Sequence, residues 1–135
     1  MSEGAQWGVG WDLPDVVSSA EQVLLALGAT RFDLFGHVIN ENTDFVSQIP
    51  ERYKKRKNGF LFFLAVSNHI GFPEGIGELP WEYMFYEGHA KQTYETALEC
   101  FRSVSWLKKA EILSYRCFAD GDTPERVVVL LRRPI

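Results

Sequence analysis

Apolar residues recur at helical spacing in two stretches of the chain and alternate or crowd together elsewhere. The first helical stretch sets Leu13, Val16, Val17, Ala20, Val23, Leu24 and Leu27 along one stripe, with Leu25 alone pointing clearly away. Asp12 is placed to cap it, and Pro14 is tolerated in a first turn whose N–H groups have no helical partners. Gly28 suits the left-handed residue that ends a helix. The second stretch, from about Ala90 to Val104, aligns Ala90, Tyr94, Ala97, Leu98, Phe101 and Val104 opposite a wet face of Lys91, Gln92, Glu95, Glu99, Arg102 and Ser103.

The remaining pattern is mostly that of strands. Trp7, Val9 and Trp11 alternate with glycine, as in a short strand or an arm with one apolar face. "TRFDLFGHVIN" (Thr30–Asn40) is rich in aromatic and β-branched residues and short enough for a strand. Thr43 or Asp44 opens a short helix with Phe45, Val46 and Ile49 on one side, which Pro50 ends or kinks. "ERYKKRK" follows as a solvated turn of helix or a strand, with a turn at Asn58-Gly59. "FLFFLAVS" (Phe60–Ser67) is apolar at every position but the last, the pattern of a central strand covered on both faces. His69–Pro80 has three glycines and two prolines and reads as a long loop, the kind that is often functional or mobile. In "LPWEYMFYEGH" (Leu79–His89), Trp81, Tyr83 and Phe85 alternate with Glu82, Met84 and Tyr86, which favours a strand, although Pro80 could instead start a helix. "EILSYRCF" and "RVVVLLR" flank the turn chemistry of "ADGDTPE" and form a terminal hairpin. These elements predict an α+β fold: a mostly antiparallel sheet of about five strands with two main helices packed largely on one face. A length of 135 residues fits a single domain over 1–135.

Composition narrows the classes. An apolar fraction of 46% supplies a core and excludes a disordered chain. Cys100 and Cys117 lack the number and spacing of a disulfide framework, so no staple is expected. The start "MSEGAQWGVG" has no basic, apolar leader, and the longest apolar run is far short of about 20 residues, so the expected setting is cytoplasmic with no membrane. Net charge is −4 but uneven: Glu51–Lys57 holds five basic residues against one acid, leaving −8 on the rest. An acidic body repels nucleic acid and attracts basic partners.

No motif reaches the specificity of a catalytic signature. Cys100 and Cys117 have no local nucleophile pattern around them, and buried cysteine is common as a small apolar residue. His37, His69 and His89 lie in different elements without ligand spacing, so no metal and no cofactor is expected. "GFPEGIGELP" lacks the Lys-Ser/Thr of a phosphate loop, and its acids oppose a phosphate. "KKRKNGFLFFLAV" resembles the aromatic strand of RNA-recognition domains in its basic residues, Gly59, Phe60 and Phe62. Leu61 and Ala65 depart from that pattern, no partner motif stands on an N-terminal strand, and the phenylalanines read as core. Nucleic acid is therefore not the expected partner.

The absence of a catalytic signature and the acidic balance together predict a small non-enzymatic binding protein, of the kind that bacterial immunity or antitoxin proteins represent. It would occlude a basic partner protein such as a toxin, through Glu74, Glu78, Trp81, Glu82 and Glu87. The alternative is a small enzyme or ligand-binding domain with a pocket under the 69–80 loop, with His69, His89, Glu82 and Cys100 as its candidates.

Overall fold

The computed structural model describes residues 8–36, 39–40, 42–54, 59–64, 71–89 and 92–134. The fold is α+β. Its contacts cluster into two compact units, Met1–Asn40 and Glu41–Ile135.

The first unit is a strand–helix–strand element. Strands β1 (Gly8–Asp12) and β2 (Phe32–Gly36) pair in parallel from Gly8 opposite Phe32 to Asp12 opposite Gly36. Helix α1 (Pro14–Ala26) makes the crossover that parallel pairing requires. Trp11 and Phe35 stand opposite each other and stack with centroids 5.5 Å apart. Asp12 does not cap the helix as expected. Leu13 is the N-cap residue, and the Asp12 carboxylate accepts a bond from the Leu13 N–H at 2.7 Å, one residue too early. The C-terminus is as the sequence reads. Gly28 has φ +79°, its N–H bonds the Leu25 carbonyl, and the Ala29 N–H bonds that of Leu24, the two bonds of a Schellman motif.

The second unit carries the buried core. Helices α2 (Phe45–Gln48) and α3 (Glu51–Lys54) precede strand β3 (Gly59–Leu64). Helix α4 (Glu74–Gly77), strand β4 (Trp81–Gly88) and helix α5 (Tyr94–Arg102) follow, and strands β5 (Glu111–Asp120) and β6 (Thr123–Arg132) close the chain. The sheet order is β3-β4-β6-β5. Strand β6 turns back from β5 and inserts beside β4, antiparallel to both, so β4, α5 and β5 form a split β-α-β unit. The hairpin turns on Gly121, whose φ of +61° is the conformation that two-residue hairpin loops demand.

The mostly antiparallel five-stranded sheet is corrected in two ways. Among the described residues the strands form two sheets, of two and four strands. Both β1/β2 and β3/β4 are parallel, because each pair is joined by a connection long enough to carry the chain back to the same end. The second helix is also shorter than its stripe. Thr93 sets the start through a capping box with Thr96, and Ser103 ends it.

One face of the large sheet is packed. Phe63, Met84, Tyr86, Val127, Val129 and Leu131 are buried there beneath Ala97 and Phe101 of α5. Tyr86 meets the Phe101 ring edge-on at 4.9 Å, and its hydroxyl donates to the Gln92 side-chain carbonyl at 2.7 Å. A buried tyrosine keeps such a partner because an unpaired hydroxyl costs about 1–3 kcal/mol. The other face is open, and it corrects the reading of Phe60–Ser67 as a central strand. β3 is an edge strand in which Phe63 is buried while Phe60 and Phe62 are 51% and 64% exposed. An apolar run hides which of its alternate positions face in. The part of this stretch beyond Leu64 lies outside the described residues.

Candidate functional site

The 71–80 segment is built inward. Phe72 stacks on Phe63 at 5.2 Å and meets Trp106 edge-on, while Pro73, Ile76 and Leu79 are buried. The Trp81 indole N–H donates to the Ile76 carbonyl at 3.1 Å. Arg133 closes the turn: its guanidinium lies 4.1 Å from the Trp81 ring centroid and donates to the carbonyls of Gly77 and Leu79 at 2.8 and 3.0 Å. Burial lowers the pKa of this guanidinium from its ordinary value, and the two carbonyls and the ring face compensate the charge. A short helix with an apolar underside thus occupies what the sequence reads as an open loop.

This packing redistributes the residues expected to meet a partner. Trp81 is 3% exposed, so it serves the core and offers no plug to another protein. Glu82 bonds Arg132 at 3.1 Å and Glu87 lies 3.6 Å from Arg126, so both carboxylates are charge-compensated within the sheet. Glu74 and Glu78, on and just after α4, remain exposed. The alternative site residues do not converge on described positions either. Glu82 and His89 flank opposite ends of β4, about 23 Å apart at the rise of a strand. Cys100 is half-buried on α5, and His69 lies outside the described residues. Among the described residues no three His, Cys, Asp or Glu side chains gather where a metal could be held, and no helix is long and apolar enough to cross a membrane.

The two units differ in charge. Met1–Asn40 holds five acids and one base, Arg31, and so carries −4. Glu41–Ile135 holds thirteen acids and thirteen bases and is neutral. The whole excess of negative charge therefore belongs to the smaller unit.

That unit also presents exposed apolar surface. No residue of α1 is buried. Its stripe spans about 120° of arc at 100° per residue, more than one small sheet covers. Val17, Ala20 and Leu24, on one side of the stripe, are half-buried. Val16, Val23 and Leu27, on the other side, are exposed, Leu27 to 77%. Asp15 and Glu21 are exposed on the same helix. Two sequence signals bear on this surface: the breadth of the stripe, with Leu25 standing outside it, and the acid-to-base ratio of the first forty residues. No family model matches the chain, and no curated protein matches it.

Proposed function

We propose that this chain is a non-enzymatic protein-binding module that occludes a basic partner protein, in the manner of an immunity or antitoxin protein, and that α1 is its working surface. The supporting observation is the coincidence, in the Met1–Asn40 unit, of the entire net charge with an exposed aliphatic stripe. A field of one sign steers a basic surface inward over roughly a Debye length, about 8 Å at physiological salt. Val16, Val23 and Leu27, one and two turns apart along the helix, then match the spacing of a helix seated in an apolar groove. Occlusion needs no reacting group, only a partner surface with cationic residues around an apolar cleft.

The test is recovery of the partner from the native host by the full chain and by two charge-matched variants. The wild type is expected to bring down one stoichiometric protein of basic pI. Asp15→Lys with Glu21→Lys is expected to reduce recovery about tenfold or more, a loss of about 1.4 kcal/mol. Glu74→Lys with Glu78→Lys is expected to leave recovery unchanged. The reverse pattern would move the site to the 74–87 acids, and an acidic partner would end the steering argument.

A further inference from the structure

We propose that the open face of the four-stranded sheet is where two copies of this chain meet, in a face-to-face pair related by a twofold axis. The inference rests on the Glu41–Ile135 unit alone and goes beyond the α1 reading. Directly paired residues of adjacent strands share a face, so the register lays this face out in three rows. The middle row is Phe62, Phe85, Leu130 and Ser114. One outer row starts at Phe60 and Tyr83 and ends at Arg132 and Glu111; the other starts at Leu64 and Glu87 and ends at Val128 and Arg116.

Charge selects the occupant. Glu82 with Arg132 and Glu87 with Arg126 are already paired, so the face offers no net sign to a strongly basic or acidic partner. A twofold axis lying across the strands along the middle row places each outer row against the other outer row of the second copy. Phe60 then meets Leu64, Arg132 meets Val128, and Glu111 meets Arg116, with no like charges opposed. The Glu111–Arg116 meeting occurs twice, as an isologous contact requires. Phe62, Phe85 and Leu130 each face their own counterparts.

Size sets the strength. Four strands at about 4.8 Å spacing and six residues of rise give roughly 400 Å² in plan. It falls short of the approximately 800 Å² per copy typical of a tight pair. The pair is therefore weak, and association is expected at micromolar or higher concentration.

Sedimentation equilibrium of the full chain, from about 1 to about 300 µM, reads this directly. The average mass is expected to rise from 15.5 kDa towards twice that value. Phe62→Lys, at a position 64% exposed in the single copy, is expected to weaken association about tenfold or more with the melting temperature retained. Glu111→Arg and Arg116→Glu are each expected to weaken it, and the double exchange to restore most of it, because the inverted charges still meet. Asp15→Lys with Glu21→Lys is expected to leave it unchanged, which separates this inference from the proposed function. A mass of 15.5 kDa at every concentration, or a double exchange as weak as the singles, overturns the twofold pair.

Discussion

Gly77 has no side chain because Trp106 fills the space one would need. A Cβ built there stands 2.5 Å from the indole Cγ and 2.8 Å from Cδ1 and Cδ2, and the ring is itself wedged against Phe72 and Trp81. Gly77→Ala is therefore expected to cost about 1–3 kcal/mol through overpacking. At about 4–8 °C per kcal/mol, the resulting fall is visible in a thermal melt. Tyr86→Phe is expected to cost about 1 kcal/mol, because it strips the Gln92 carbonyl of its donor while leaving the ring contacts in place. At this scale the sequence was legible where chemistry is local. Gly28 and Gly121 both carry positive φ at the turns their neighbours imply. It was misleading where burial depends on what lies beyond the strand. Phe62 and Phe63 are adjacent and of one type, yet one is exposed and the other buried. No pattern inside "FLFFL" distinguishes them.

The elements follow the same division. The α2 start at Asp44, whose carboxylate accepts the Ser47 N–H at 3.1 Å, is readable from four residues. So is the hairpin. The capping box of α5 is obscured in the sequence because the apolar stripe continues upstream through Ala90, beyond where the helix begins. Thr93→Ala removes both the hydroxyl that accepts the Thr96 N–H and its bond to the Thr96 side chain, and is expected to cost about 1 kcal/mol in chemical denaturation. The parallel pairings were not legible, since they depend on where a connection carries the chain. The β3-to-β4 link holds a one-turn helix in a segment whose glycines and prolines suggest none. That helix exists because Ile76, Leu79 and Pro73 have a core to enter and Arg133 holds the carbonyls of Gly77 and Leu79.

For the molecule as a whole, the sign of the net charge was legible but its location was not. Summed over the chain, −4 reads as an acidic body with one basic run. Divided at the boundary between the units, it becomes a neutral larger unit and a smaller unit holding all of the excess. The association rate with a basic partner is accordingly expected to fall about tenfold between about 50 and 500 mM salt, with a much smaller change in the dissociation rate, as measured by stopped flow. The most direct measurement places a photo-crosslinking amino acid at Val23 in one variant and at Glu78 in another, and compares the adducts formed in the native host. The occlusion account predicts a covalent adduct to a basic protein from position 23 and none from position 78. An adduct from position 78 alone would contradict it.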